Sequence, residues 1–498
     1  MGKPSIQTVG ELKKTDYISK SIKDEIRDNL IASLQSGETI FHDIQGFENT
    51  VIPQLEAALL AKHNMLFLGL RGQAKTRMAR LMVRLLDEYI PVIAGTELGD
   101  DPYQPISKEA YDLLAEHVDK TPIDWVHRDE RYVEKLATPD VSVADLIGDV
   151  DPIKAATQKL TYADERVIHY GMIPRAHRSI FVINELPDLQ ARIQVALFNI
   201  LQEGDIQIRG FNVRLPVDVQ FVFTANPEDY TNRGSIVTPL KDRIESQILT
   251  HYPTTLEISK TITHQEAKID AAVEKSIPKN TLIDNLIEQI AFEARESEYV
   301  DQKSGVSARL TIAAYELLYA VTQRRLLKNG EKTSYFRISD LVGVIPAING
   351  KIELVYEGEQ EGSHNVSLFL LGKAIRKEFE RLFPNPEKSK KVKEGGFDPY
   401  APIIAWFNKG NSIDLLQDTS KKTYKKALHE VDGLEALIDF VFKGIAEDEK
   451  LLMMEFALHG LAEFSQISKQ AIDSGSKFKD LVGSMFNMDF EQGEEELY

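Results

Sequence analysis

Lys75 and Thr76 follow Gly69 at the spacing of a phosphate-binding loop, G-x-x-x-x-G-K-[ST], in which successive backbone N–H groups and a helix start face the phosphates of a nucleotide. The candidate cofactor-binding stretch is Gly69, Leu70, Arg71, Gly72, Gln73, Ala74, Lys75, Thr76 and Arg77. Lys75 would bring a compact ammonium to the β- and γ-phosphates, and the Thr76 hydroxyl would ligate Mg²⁺. The second glycine of the pattern is replaced by Ala74. If that residue must be left-handed, alanine costs ~1–2 kcal/mol there; at negative φ the cost is small.

An apolar run, Ser179–Ile183, ends in Asn184-Glu185, the place where nucleotide hydrolases hold Mg²⁺ and a general base. Asn184 is a neutral amide, so it would meet a metal there, through water, and hold it more weakly than a carboxylate would. On that reasoning Asn184→Asp should tighten the Mg²⁺ dependence of nucleotide binding. A further apolar run ends in Thr224-Ala225-Asn226-Pro227, where the Asn226 amide could orient an attacking water. Arg243, in Pro239-Leu240-Lys241-Asp242-Arg243, and Arg309, in Ser307-Ala308-Arg309, offer planar paired donors that stay charged. Each feature alone has a bland reading, as a polar strand end or a surface ion-pair arginine. Their order along one chain is the argument.

In that order the motifs resemble those of the AAA+ ATPases, and within them the MoxR and magnesium-chelatase I-subunit branch, over roughly residues 20–350. The resemblance implies that Gly69–Thr76 is Walker A, Asn184-Glu185 is Walker B, Asn226 is sensor 1, Arg243 is an arginine finger reaching a neighbouring subunit, and Arg309 is sensor 2. It implies ATP and Mg²⁺ as cofactors, and a homo-oligomeric, hexameric ring with chaperone-like action on a partner protein that carries a von Willebrand A domain. No Asp-x-Ser-x-Ser metal signature occurs in this chain, so that partner is another chain. With Lys75, Thr76, Glu185 and both arginines kept, slow but real ATP hydrolysis is expected. Alternatives are a nucleotide-dependent scaffold with little turnover, favoured by Ala74 and Asn184, and a magnesium chelatase motor subunit. A sigma-factor activator receives little weight, because the Gly-Ala-Phe-Thr-Gly-Ala loop of that class is absent.

The elements that must position these residues follow from periodicity. Short apolar runs at Met65–Leu68, Ser179–Ile183, Val219–Ala225 and Ile248–Tyr252, and a strand near Tyr132–Ala137, alternate with amphipathic segments, which predicts an α/β fold. The resemblance makes it a P-loop AAA+ core with a parallel five-stranded sheet and a helical lid domain, followed by an extra helical C-terminal region that is read from the pattern of residues alone and that the resemblance does not place. The expected organisation is a helical lead-in over 1–45, a nucleotide-binding domain over 46–255 with a helix-2 insert near 140–178, a lid over 256–384 with a short β element at Ile352–Tyr356, a linker at 385–399, helices over 400–488 and an acidic tail at 489–498. Ile22, Ile26, Leu30, Ile31 and Leu34 mark one helix face, and Leu310, Ala313, Leu317, Leu318 and Val321 another. Glu357, Glu359 and Glu361 read as a solvent-facing loop, and Met453, Met454, Phe456 and Leu458 as helix core.

Composition bounds the rest. The 498 residues carry a net charge of −18, which argues against broad nucleic-acid binding; the one dense basic run, Lys388, Lys390, Lys391 and Lys393, reads as linker. No apolar run reaches the ~18 residues of a membrane span, the start lacks a signal-peptide core, and a cytoplasmic location is expected. Zero cysteines exclude disulfides and thiolate metal sites, and no histidine spacing suggests zinc.

Overall fold

The computed structural model describes residues 2–158, 165–208, 214–227, 235–389, 398–472 and 475–481. They form two compact units, Met1–Tyr252 and Pro253–Tyr498. In the first, β1 (Met65–Leu68), β2 (Tyr132–Leu136), β3 (Ser179–Asn184), β4 (Val219–Ala225) and β5 (Ser246–Leu249) make a parallel sheet in the order β5-β1-β4-β3-β2. β1, β3 and β4 are buried along their whole length, which is why they read as unbroken apolar runs: both faces of the sheet are covered.

Alternate side chains feed two cores. Leu66, Leu68, Phe181, Ile183, Phe221 and Phe223 point into one, closed by the helices Ala191–Ala196 and Phe198–Glu203. Met65, Phe67, Ile180, Val182, Val222 and Ile248 point into the other, closed by Ile22–Ser36, Val51–Leu60 and Lys75–Leu81. On Ile22–Ser36 the residues Ile22, Ile26 and Leu30 are buried, whereas Leu34 faces out. Two insertions interrupt the alternation. Residues 95–130 supply the helix Lys108–His117 and the strand Ile123–His127, which pairs antiparallel with Tyr89–Ile93. Between β2 and β3, Gly148–Val150 pairs antiparallel with Ile168–Tyr170, flanked by the short helices Val143–Leu146 and Met172–Arg175. Residues 159–164 of that insert lie outside the described residues.

The second unit is built on the helices Thr281–Glu296, Arg309–Asn329, Ser363–Leu382 and Glu447–Glu463. Its C-terminal part is not purely helical: Ile413–Leu416, Gly475–Lys479 and Ser468–Ile472 form an antiparallel sheet in that order. One apolar core runs from Ile277 to Phe478, so the segments expected as separate, 256–384 and 400–488, share an interior. Polar groups join them as well. The buried Glu455 carboxylate accepts the N–H groups of Ile338 at 2.7 Å and Ser339 at 3.0 Å and the Tyr424 hydroxyl at 2.7 Å, which satisfies it while burial raises its pKa.

Three expectations need correction. Ile352–Tyr356 is no strand, since Leu354 makes only an isolated bridge to Val300 and Tyr356 starts the helix Tyr356–Glu361. Glu357, Glu359 and Glu361 therefore lie on a helix, as their good helix propensity allows. On Arg309–Asn329 the fully buried stripe is Leu310, Ala314, Tyr315, Leu318 and Tyr319, with Ala313, Leu317 and Val321 half-buried at its edge. Met453, Met454, Phe456 and Leu458 are core. Lys390, Lys391, Lys393 and the tail at 489–498 lie outside the described residues. Among the described residues no helix is long and apolar enough to cross a membrane.

Candidate nucleotide site

The loop from Gly69 to Ala74 joins β1 to the helix Lys75–Leu81 at the C-terminal edge of the sheet, where ligands of open α/β folds bind. It is pinned from the chain that follows β5. The Thr250 hydroxyl donates to Gln73 Oε1 at 2.7 Å, and the Tyr252 hydroxyl to the Arg71 carbonyl at 2.9 Å. Gly69 is required by this packing, because a Cβ there would lie 1.9 Å from Thr250 Oγ1 and 2.3 Å from Gln73 Oε1. Ala74 takes φ +55° and ψ +14°, the left-handed conformation, so the conditional cost of ~1–2 kcal/mol does apply. The Lys75 ammonium is buried and turned back on its own loop, donating to the carbonyls of Gly69 and, at 2.9 Å, Leu70.

Register explains what meets the start of that helix. Phe223 on β4 is level with Ile183 on β3, which puts Thr224 beside Asn184. Glu134 on β2 is level with Val182, which puts it two residues back from Asn184 on the same face. This is also the face of Met65 and Phe67, against which the helix Lys75–Leu81 packs, so Thr76 and Arg80, one turn apart, look onto the same polar row. Asn184 Oδ1 accepts the hydroxyls of Thr76 at 3.2 Å and Thr224 at 3.1 Å. Asn184 Nδ2 donates to Glu134 Oε1 at 2.6 Å. The other carboxylate oxygen of Glu134 accepts Arg80 Nε at 3.0 Å and Nη2 at 2.9 Å and the Tyr132 hydroxyl at 3.1 Å. That pairing raises the pKa of Arg80, while burial pushes that of Tyr132 up.

Glu185 follows directly with φ +54°, a left-handed conformation rare for a non-glycine residue, and its N–H donates to Thr224 Oγ1 at 3.2 Å. Asn226 is the first residue after β4, half-buried at the same sheet edge. The structure thus gathers the loop, Thr76, Asn184, Glu185 and Asn226 in one place. Arg243 ends the helix Thr238–Arg243, and its guanidinium donates to Gln202 Oε1 at 3.1 Å and the Pro239 carbonyl at 2.8 Å and lies 4.9 Å over the Phe198 ring. Arg309 opens a helix in the other unit, exposed, with its N–H on Ser307 Oγ. Sequence reasoning missed Glu134, Thr224 and Arg80; the turn spacing of Thr76 and Arg80 was the one signal available.

Thr76 and Asn184 present neutral oxygens, which suit a hard cation such as Mg²⁺ brought in on phosphates. Among the described residues no group of three or more histidine or acidic side chains could hold a metal by itself.

A family model, the sigma-54 interaction domain, matches residues 157–248, a span that takes in Asn184, Glu185, Asn226 and Arg243 but not the loop. The solved structures similar to this chain include a putative ATPase from Cytophaga hutchinsonii, 17% identical, covering 70% of this chain and 95% of that one with a TM-score of 0.28. They include the BchI and BchD subunits of magnesium chelatase, 19% identical, covering 64% and 97% with a TM-score of 0.32. A RuvB mutant from Thermotoga maritima is 13% identical, covering 77% and 95% with a TM-score of 0.33. Scores this low give whole-chain superposition no weight. The strand order and the loop show a P-loop α/β fold, and within it residues 157–248 are similar to the sigma-54 interaction domain.

Proposed function

We propose that this protein is an AAA+ motor of the MoxR and magnesium-chelatase type, which binds ATP with Mg²⁺ in a hexameric ring, hydrolyses it slowly and uses the cycle to remodel a partner protein bearing a von Willebrand A domain. The observation that carries the reading is the convergence of the loop, Thr76, Asn184 and Glu185 at one sheet edge through a continuous hydrogen-bond row. Phosphates would be cradled by the loop N–H groups and would draw the Lys75 ammonium away from the Gly69 and Leu70 carbonyls. Thr76 and, through water, Asn184 would hold Mg²⁺, whose chemistry is to offset charge on the phosphate oxygens. Glu185 would polarise the attacking water and Asn226 orient it. Arg243, at a helix end, would act on the site of the next subunit, and Arg309 on the phosphates of its own, each adding fixed positive charge where it develops in phosphoryl transfer.

The Glu185→Gln protein tests this. Retained ATP binding with turnover lost is expected; equal rates for wild type and variant refute the base assignment. Ala74 in a left-handed position and the neutral Asn184 favour one second reading, a nucleotide-switched scaffold with little turnover. It predicts rings that assemble on ATP yet show no turnover above that of Glu185→Gln.

A further inference from the structure

The neutral amide at position 184 brings no negative charge where an aspartate side chain would face a metal–phosphate complex. That charge lies one strand away. Glu134 Oε1 is 2.6 Å from Asn184 Nδ2, and an ionised carboxylate has only acceptors, so the amide must turn its NH₂ toward β2. Its carbonyl oxygen is thereby fixed toward Thr76, where the Thr76 and Thr224 hydroxyls both donate to it. Thr224 can direct its only hydroxyl proton there because its lone pairs already serve the Glu185 N–H. Arg80, on the helix that follows the loop, and the Tyr132 hydroxyl hold the second oxygen of Glu134 and fix its rotamer; Arg80 is largely exposed, so solvent screens its charge.

We propose that Glu134 and Asn184 together do what a single aspartate would do at the end of β3: Glu134 supplies the negative charge and orients the amide, and Asn184 presents the oxygen. Glu134 is then a positioning residue for Mg²⁺, acting through Asn184. This rests on the reading that MgATP binds at the loop. It changes the expectation for Asn184→Asp. An aspartate at 184 would set two carboxylates in direct contact, and the repulsion between like charges would offset what the added charge could give the metal.

The test is a cycle of variants read by ATP binding, with Mg²⁺ titrated against an EDTA baseline. Glu134→Gln should raise the Mg²⁺ concentration at half-effect on the order of tenfold, the usual scale for groups that orient a metal's ligands, with the EDTA affinity unchanged. Asn184→Asp alone should give no gain in the Mg²⁺ response. The exchange of both, Glu134→Gln with Asn184→Asp, should return the wild-type Mg²⁺ response. Arg80→Gln removes one of the groups that hold the carboxylate but keeps the carboxylate itself, and should weaken that response less than Glu134→Gln does, since Tyr132 and Asn184 still hold it. An unchanged Mg²⁺ response in Glu134→Gln, or an Asn184→Asp protein as good as the double exchange, overturns the proposal. A wild-type protein that binds ATP equally with Mg²⁺ and with EDTA overturns it too. Absence of ATP binding by the wild type is a different failure, that of the nucleotide reading itself.

Discussion

Ala74→Gly should stabilise the first unit, and the size of the effect follows from one dihedral angle. At φ +55° an alanine Cβ crowds the backbone, at a cost of ~1–2 kcal/mol that glycine escapes. Glycine gives back about 0.4–1 kcal/mol by widening the unfolded ensemble. The net gain lies between about 0 and 1.6 kcal/mol, centred near ~0.8 kcal/mol, which for a unit of this size raises Tm by roughly 2–3 °C. Where the loop keeps that angle on binding, free and bound forms gain alike and ATP affinity should stay within about twofold, because a change felt equally by two states shifts no equilibrium between them. Thermal unfolding of wild type and variant, paired with equilibrium ATP binding, measures both quantities. A Tm that falls refutes the left-handed turn. A Tm that stays level while affinity rises tenfold shows that the turn forms only when phosphate arrives.

Subunits carrying Arg243→Ala should bind ATP with little turnover, and mixing them with Lys75→Ala subunits should restore part of the activity, since an intact loop then meets an intact arginine across some interfaces; a mixture as inactive as each parent refutes action in trans. Burial holds His177 down at about 4 from 6.5 and lifts Asp218 up to about 6 from 3.8. Between pH 4 and 6 the native state therefore binds fewer protons than the unfolded chain at His177 and more at Asp218, and the two slopes oppose each other. Asp218→Asn should leave the histidine slope alone, so stability would fall by roughly 3 kcal/mol on acidification from pH 6.5 to 4, a steeper loss than in wild type; urea unfolding across that range checks it. In the second unit, a Cβ on Gly460 would lie 2.0 Å from Phe379 Cδ2, and Phe379 is stacked on Phe383 with ring centroids 4.7 Å apart. Gly460→Ala should therefore destabilise by about 1–3 kcal/mol, although alanine is the better helix former; a rise in Tm would show that the rings yield.

The central strands were legible because a sheet covered on both faces writes continuous apolar runs, as in Ile180–Ile183 and Phe221–Phe223. β2 was harder, since Tyr132, Val133, Glu134 and Lys135 are only half-buried, but its position still came through. The C-terminal sheet was not legible. Ser468–Ile472 and Gly475–Lys479 are polar, and only Phe478 on the second strand announces a buried face. At the site, Lys75, Thr76, Asn184 and Glu185 carried signal in their spacing. Ala74 did not, because alanine is compatible with either sign of φ and the letter is the same in both. Glu134 was hidden for another reason: an acid in an alternating strand reads as a solvent-facing residue, and only the parallel register of β2 on β3 brings it to Asn184.

The aromatic packing of the second unit has a bearing on how the chain may be divided. Phe379 meets Phe456 and Phe464, with ring centroids 6.0 and 5.7 Å apart, and Phe383 meets Phe442 at 5.4 Å. A fragment ending near residue 390 would strip these rings of their cover and present an oily patch to water, an invitation to aggregate. The smallest autonomous piece of this half of the molecule must run as far as Phe478, and a ligand that grips the polypeptide beyond residue 398 holds part of the same packed body rather than an appendage.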